Sequence, residues 1–148
     1  MKKTWLASST SGAHTVARVL ILDSEAVSAL AQKRKGMAER LAAAQRADHR
    51  VLIPAVVLAE VATGAPADAA IWHVLSKIPT LDLPQSVAMR AGALRTRAER
   101  VRRKKRDLTV DAIVAATAIE LAPCVVLTGD RSDLELLVEG YDIRVSAI

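Results

Sequence analysis

The sequence LTVDAIVAATAIELAPCVVLTGD, residues 108–130, contains the signals that decide the fold. Its alanine-rich first half predicts a helix over Val110–Leu121, with Thr109 as the N-cap. Its second half contains a short apolar run, Cys124–Leu127, of the kind that forms a buried strand. A helix that leads into a buried strand is typical of α/β proteins, in which such units repeat along the chain.

The same alternation continues on both sides of this stretch. Strands are predicted at residues 18–22, 51–53, 78–83 and 141–145, and helices at 24–31, 37–47, 55–63, 66–76, 84 onward and 130–139. Pro54 is expected in the opening turn of its helix, Pro79 predicts an edge strand, and Trp72 is expected to pack inward. The pattern predicts a three-layer α/β/α fold whose central, mainly parallel sheet has four or five strands. Residues 1–17 show no periodicity and are predicted to be a flexible extension of a single domain, residues 18–148.

Composition narrows the class of protein. The 148 residues are 51% hydrophobic but only 2% aromatic, so the core is predicted to consist of Ala, Val, Leu and Ile. The net charge of +5 suits a polyanionic partner. Cys124, the single cysteine, excludes an internal disulfide and is expected to be buried and unreactive. No run reaches the roughly 20 apolar residues of a membrane span, so a soluble, cytoplasmic protein is expected.

Four carboxylates stand at element boundaries or within apolar runs, namely Asp23, Glu60, Asp111 and Asp130. Because ligands of parallel α/β folds bind beyond the carboxyl ends of the strands, these acids are expected to meet at one edge of the sheet. A group of carboxylates there would bind Mg²⁺ or Mn²⁺, whose chemistry suits the hydrolysis of a phosphodiester.

Each acid also has a purely structural interpretation. Asp23 and Asp130 could cap the helices that follow them, and Asp111 could be an acid favoured by the dipole of its helix. Glu60 is harder to explain in this way, because its neighbours are apolar and a buried acid needs a partner. Burial of Glu60 within the site is the favoured interpretation, and exposure to solvent is the alternative.

In these motifs the chain resembles a PIN-domain ribonuclease, and most of all the VapC-type toxins of bacterial toxin–antitoxin pairs. The matching segments are VLILDSEAV, IPAVVLAEV, LTVDAIVAATAIE and VVLTGDRSDLELL, followed by YDIRV, in the family's order over residues 18–148. The resemblance implies a PIN-like fold and makes Asp23, Glu60, Asp111 and Asp130 the catalytic and metal-binding acids. Asp133 would be a further contributor to the metal site, and Thr128 a hydroxyl that helps to orient it. Glu25 departs from the family, which usually has a small residue there, so a place at the mouth of the site and a place in solvent both stay open.

The resemblance also implies a function and partners. The protein would be a Mg²⁺-dependent endoribonuclease that leaves 5′-phosphate products, and a homodimer held by helices of its first half. A cognate VapB-type antitoxin would insert its C-terminal segment into the acidic groove. RNA phosphates are expected to contact the basic residues that precede the Asp111 helix, although these could simply form a solvated helix end. The residues are Arg95, Arg97, Arg100, Arg102, Arg103, Lys104, Lys105 and Arg106.

Two other functions are consistent with part of the pattern. One is a non-catalytic RNA-binding module with the same fold. The other is a receiver-like phospho-acceptor domain, which is also doubly wound with acids at strand ends. The receiver-like alternative fits less well, because no acidic pair follows the first strand and no Lys stands at the end of a late strand.

Overall fold

The computed structural model describes residues 18–102 and 106–148, and the predicted extension over residues 1–17 lies outside these ranges. The strands are β1 (Val19–Leu22), β2 (Arg50–Pro54), β3 (Thr80–Leu81), β4 (Cys124–Thr128) and β5 (Ile143–Ala147). The α-helices are α1 (Ser24–Ala31), α2 (Met37–Arg46), α3 (Leu58–Val61), α4 (Asp68–Leu75), α5 (Gln85–Val101), α6 (Thr109–Glu120) and α7 (Arg131–Leu137). A 3-10 turn, Ala55–Val57, leads into α3.

All five strands are parallel and lie in the order β3-β2-β1-β4-β5. The chain builds the sheet outward from β1 to β3 and then returns to add β4 on the other side of β1. Because Leu22 pairs with Leu127, the two central strands end side by side. This is the point where the strand order reverses, and it is where α/β folds bind ligands. The predicted α/β fold with a parallel sheet is confirmed, and the order differs from the 2-1-3-4-5 order of receiver-like domains.

The core consists of aliphatic side chains, as the composition predicted. Ile21, Ile53 and Leu127 of the central strands are almost completely buried. Helix α6 is buried around most of its circumference and packs between α5 and α7. Its alanines allow the neighbouring helices to approach closely, and an apolar surface on all sides is typical of a buried helix. This packing fixes the first turn of α6, which carries Asp111.

Two predictions at helix starts are wrong. Pro54 is the last residue of β2 and the N-cap of the 3-10 turn, with φ −62° and ψ 129°, so it stands directly before the opening turn and not within it. Its ring tolerates this extended conformation at a strand end, where the missing N–H costs no ladder bond. Thr109 is the first residue of α6 and not its N-cap; Leu108 holds the N-cap position, and Asp107 lies just before it. The Asp107 carboxylate accepts bonds from the Thr109 N–H at 3.0 Å and from the Thr109 hydroxyl at 2.7 Å.

The prediction that Trp72 packs inward is also wrong, since Trp72 is 70% exposed. Val74 is the buried residue of α4. Trp72 lies two residues earlier, which places it about 200° around the helix axis and on the opposite face.

Cys124 behaves as predicted. Its thiol is buried beside the carbonyl oxygen of Ala118, 3.3 Å away. Burial raises the pKa of the Cys124 thiol to about 12, so the sulfur stays protonated and unreactive. Within the described residues, every helix is too short or too polar to cross a membrane.

Candidate active site

Asp23 is the first residue after β1 and is 5% exposed. Its carboxylate caps α1 by accepting a bond from the N–H of Ala26 at 2.9 Å. The capping role that the sequence suggested is therefore real, and it fixes the carboxylate at the end of the central strand. Burial raises the pKa of Asp23 above its ordinary value, although hydrogen bonds from Thr128 and the backbone oppose this effect.

Thr128, the last residue of β4, connects the ends of the two central strands. Its hydroxyl donates a hydrogen bond to Asp23 and accepts one from the backbone N–H of Asp130 at 2.9 Å. The N–H of Gly129 also reaches Asp23, at 3.3 Å. Thr128 is completely buried, so this network is shielded from water. The structure thus places Thr128 where an orienting hydroxyl was expected.

Three carboxylates, those of Asp111, Asp130 and Asp133, form a compact group that we call the acidic triplet. One oxygen from each lies within 4.8 Å of the other two. Asp111 is in the first turn of α6, Asp130 is the N-cap of α7, and Asp133 is in the first turn of α7. Asp130 accepts a capping bond from the N–H of Asp133 at 3.4 Å. Two helix starts therefore converge on one site, and their dipoles favour negative charge there.

Two arginines neutralise the acidic triplet. Arg106 donates to Asp130 and also reaches Asp133 and Asp111, each at 3.3 Å. Arg102 binds Asp133 at 2.9 Å and the carbonyl oxygen of Arg106 at 3.3 Å. The side chain of Arg102 is 10% exposed and that of Arg106 is 50% exposed. One counter-ion is therefore built into the fold, while the other lies at its surface.

Burial and the closeness of other charges shift the pKa values of these carboxylates. Burial raises the pKa of Asp111 to about 6; the charge of Arg106 opposes this, while Asp133, Asp130 and Asp23 add to it. Burial, followed by the hydrogen bond to Asp130, raises the pKa of Asp133. Burial also disfavours the charged form of Asp130, but hydrogen bonds from Asp133 and Arg106 outweigh it and lower the pKa of Asp130. In this pair Asp130 is the ionised partner, and Asp133 retains a proton more readily.

Glu60 does not belong to the acidic triplet, and the favoured prediction that it is buried is wrong. Glu60 lies in α3 and is exposed. The 3-10 turn before α3 shortens the helix, so the apolar residues before Glu60 do not enclose it. Its carboxylate accepts a hydrogen bond from the hydroxyl of Ser24, the residue after Asp23. Glu60 is thereby held at the Asp23 side of the site.

Glu25 lies at the same edge of the sheet, directly over Gly129. A Cβ added to Gly129 would stand only 1.8 Å from Oε2 of Glu25. The side chain of Glu25 thus covers the one residue between Thr128 and Asp130. Of the two alternatives that the sequence left open, Glu25 is exposed and also lies at the mouth of the site, although its contact with Gly129 has no signal in the sequence.

The basic residues before α6 fall into different environments. Arg95 donates to the Thr109 hydroxyl at 2.9 Å, and Arg97 to the carbonyl oxygen of Leu137 at 3.3 Å. Arg102 and Arg106 bind the acidic triplet, whereas Arg100 is exposed. The remaining members of the predicted RNA-binding set, Arg103, Lys104 and Lys105, lie outside the described residues. Sequence reasoning missed the role of Arg102 and Arg106 as counter-ions. Their closeness in sequence to Asp111 was the available signal.

The donor set of the acidic triplet fits a hard divalent cation. Carboxylate oxygens are the ligands that Mg²⁺ and Mn²⁺ prefer, and a few of them suffice because Mg²⁺ retains several waters. The cation that the described residues place among the three acids is the guanidinium of Arg106. Acids that attract the positive charge of Arg106 would also attract a metal cation.

A groove on a different surface runs between α1, α2 and α4, with a volume of about 510 Å³. Its wall is apolar and includes Leu30, Met37, Leu41 and Val74. Four basic residues, Lys33, Arg34, Lys35 and Lys77, and one acidic residue, Glu39, also line it, so the charge of the groove is mainly positive. The groove therefore combines an apolar floor with positive charge, which suits a partner that is apolar on one side and acidic at its edges.

Comparison with known protein families and with solved structures points to one family. The chain matches the PIN domain family over residues 20–135. No curated protein sequence matches it significantly.

Three solved structures share its fold. VapBC2 from Rickettsia felis, bound to a DNA fragment from their promoter, aligns with a TM-score of 0.71 and 17% identity, over 88% of this chain and 98% of that chain. DNA-bound VapBC from Salmonella typhimurium aligns with a TM-score of 0.65 and 21% identity, over 89% and 98%. FitAB bound to an IR36 DNA fragment aligns with a TM-score of 0.58 and 20% identity, over 86% and 94%. Identities this low establish likeness of fold alone. The family match extends over most of the sequence, and the sheet and strand-end acids agree with it, so the chain belongs to the PIN domain family.

Proposed function

We propose that this PIN domain is a metal-dependent endoribonuclease and the toxin of a VapC-type toxin–antitoxin pair. The observation that carries the proposal is the convergence of Asp111, Asp130 and Asp133 beside the buried Asp23, at the point where the strand order reverses. Likeness in fold to VapBC and FitAB supports the toxin assignment. Hydrolysis would form a bond from water to phosphorus and break the bond to the 3′ oxygen, which leaves a 5′-phosphate.

Asp111, Asp130 and Asp133 would hold Mg²⁺ or Mn²⁺, with Asp23 and Glu60 on the opposite side of the site. When bound, the ion would lower the pKa of a water and offset the charge of the phosphate. Thr128 positions two of these acids at once, because its hydroxyl is bonded to both Asp23 and the Asp130 backbone. Asp133 is held in place by Arg102. The protein thus supplies an ordered set of oxygens that needs little rearrangement before it binds a cation.

RNA would approach the site along its basic side. The exposed Arg100 provides positive charge there for phosphate contacts, and the sequence that follows it is rich in further basic residues. Binding through phosphates should weaken steeply with salt. Aromatic residues form only 2% of the chain, so base stacking should contribute little to recognition.

A VapB-type antitoxin is the proposed protein partner. Its C-terminal segment would enter the acidic site, and an amphipathic helix of the same antitoxin, with acidic residues along its edges, would fit the apolar groove and the basic rim formed by Lys33, Arg34, Lys35 and Lys77. Reversal of charge at the rim, as in Lys35→Glu combined with Lys77→Glu, should weaken antitoxin binding and leave RNA cleavage intact. Unchanged antitoxin affinity would place the partner elsewhere.

A homodimer through helices of the first half is proposed together with this assignment. Trp72 on α4 is a candidate contact residue, because it is 70% exposed and tryptophan is enriched among the residues that contribute most to binding at interfaces. Light scattering of the wild type and of Trp72→Ala would test it. A monomeric wild type would contradict the dimer, and Trp72 would then be assigned to the antitoxin surface.

The nuclease proposal is tested by incubating purified protein with structured RNA and Mn²⁺. Cleavage should occur, stop with EDTA, and disappear in Asp111→Asn while RNA binding persists. Asp82→Asn is a matched control, because Asp82 is exposed and lies outside the site. Binding of several RNA classes without cleavage by the wild type would favour a non-catalytic RNA-binding module.

A further inference from the structure

Arg106 stands where the proposed function requires a metal ion. Its guanidinium contacts all three members of the acidic triplet through two nitrogens. Each carboxylate oxygen that accepts one of these N–H bonds has a lone pair directed at Arg106 and therefore unavailable to a metal ion. Hydrogen bonding to Asp130 raises the pKa of Arg106 further above its ordinary value, so the guanidinium remains charged.

Arg106 differs from Arg102 in the freedom of its side chain. Half of the Arg106 side chain is exposed, whereas the Arg102 side chain is 10% exposed and also bonded to the Arg106 backbone. Departure of the Arg106 guanidinium into solvent would disturb no core packing, and exposed ion pairs are weak because water competes for both partners. Departure of Arg102 would leave the buried Asp133 carboxylate without its nearest cation. Arg106 is therefore the replaceable counter-ion.

We propose that Arg106 is an internal competitor of the divalent cation, which must displace its guanidinium before it binds Asp111, Asp130 and Asp133. The inference rests on the proposed metal site. The two cations cannot occupy the triplet together, since positive charges a few ångströms apart repel strongly in a partly buried site. Before metal binds, Arg106 holds the three acids together. Once displaced, its guanidinium lies at the entrance of the site, where a phosphate would meet it.

Calorimetric titration with Mn²⁺ in the absence of RNA tests this competition. Arg106→Gln should bind Mn²⁺ at least about fivefold more tightly than the wild type, because the competing pairs are lost. Arg106→Lys retains a charge but loses the forked geometry, so it should fall between the two. Arg100→Gln removes a charge from the same basic region without touching the triplet, and its affinity should match the wild type.

A second measurement follows the guanidinium itself. Phenylglyoxal modification, located by peptide mass mapping, should be slow at Arg106 in metal-free protein and several-fold faster with Mn²⁺. Arg100 is the internal reference, and its rate should not change. Faster modification of Arg106 supports displacement, and an unchanged rate with bound Mn²⁺ overturns it.

The outcomes separate this inference from the proposed function. Equal Mn²⁺ affinity in wild type and Arg106→Gln, with cleavage intact, overturns the competition and leaves the nuclease standing. Weaker Mn²⁺ binding in Arg106→Gln also overturns the competition, and would mean that Arg106 helps to position the three acids for the metal ion. Absence of Mn²⁺ binding from every variant overturns both. Circular dichroism establishes that the variants are folded.

Discussion

Thr128 and Asp23, 105 residues apart in the chain, share a buried hydrogen bond that ties the ends of the two central strands together. Thr128→Val keeps the shape of the side chain but removes both bonds of its hydroxyl. Oδ2 of Asp23 would keep only the longer bond from the Gly129 N–H, at 3.3 Å, and the N–H of Asp130 would lack a partner, at a cost of about 1–3 kcal/mol. The free energy of unfolding, measured in urea, and the affinity for Mn²⁺ should both decrease.

Two controls accompany this change. Thr128→Ser retains the hydroxyl and should lose less stability and less Mn²⁺ affinity than Thr128→Val. Thr117→Val removes a hydroxyl that is bonded only to the Ile113 carbonyl of its own helix, 2.8 Å away. Its effect on Mn²⁺ affinity should be negligible. Equal loss of affinity in the Thr117 and Thr128 variants would contradict a special role for Thr128.

The stability of the metal-free protein should depend on pH through Asp111. Burial raises the pKa of Asp111 from 3.8 to about 6, so the folded state binds this proton more tightly than the unfolded chain. The resulting stabilisation is complete below pH 4 and disappears as the pH rises through about 6. It amounts to on the order of 3 kcal/mol. The pKa values of Asp23 and Asp133 are also raised and add to the same trend.

Thermal unfolding in EDTA between pH 4.5 and 7.5 measures this dependence. The melting temperature of the wild type should fall across that range, and the fall should be smaller in Asp111→Asn. Asp82→Asn provides the comparison with an exposed carboxylate. Parallel curves for the wild type and Asp111→Asn would show that Asp111 titrates at its ordinary pKa.

Arg102 should matter more for stability than an exposed arginine of similar chemistry. Arg102→Gln removes the closest counter-ion of Asp133, whose side chain is 8% exposed. Loss of one partner of a buried pair costs about 3–5 kcal/mol, and the remaining contact with Arg106 should reduce this to roughly 2–3. Arg131→Gln breaks an exposed pair with Glu135 and should cost at most about 0.5 kcal/mol. Denaturant unfolding measures the loss of stability in each variant. Equal losses would show that the Arg102–Asp133 pair stabilises the fold no more than an exposed pair does.

Glu25 and Gly129 should be energetically coupled. Gly129 does not have a positive φ, so Gly129→Ala meets no backbone strain and conflicts only with the Glu25 side chain. In wild type the new methyl group must push Glu25 aside. In a Glu25→Ala background that conflict is absent, so the same change should cost about 0.5–1 kcal/mol less. A double-mutant cycle in urea measures the difference, and strict additivity would mean that Glu25 moves freely.

The fold was predictable because its signals are local. Short apolar runs such as Cys124–Leu127 alternate with helical periodicity, and Asp23, Asp111 and Asp130 follow strand ends or begin helices. Boundaries were harder, since α6 begins at Thr109, with Leu108 as its N-cap, although the sequence suggested Thr109 as the cap. The direction of Trp72 depended on where α4 begins, which tertiary packing decides.

The site was predictable only in part. Periodicity located the acids on their elements, but the exposure of Glu60 follows from a 3-10 turn that has no clear sequence pattern. The pairing of Arg106 with three acids depends on the path of the chain between α5 and α6. The contact of Glu25 with Gly129 depends on the adjacency of β1 and β4. Contacts of this kind depend on the order of the strands and helices in space. That order is determined by the whole sequence and not by any local pattern.

The central position of β4 beside β1 has a consequence for synthesis of the chain on the ribosome. Asp23 emerges early, but its partner Thr128 and the acids of α7 follow about a hundred residues later. A nascent chain that ends before β4 therefore lacks two of the three acids of the acidic triplet, even if its first helices have folded. Under the proposed function, we expect truncated products that end before Gly129 to be catalytically inert, so a toxin of this kind would become hazardous to its host only when its translation is nearly complete.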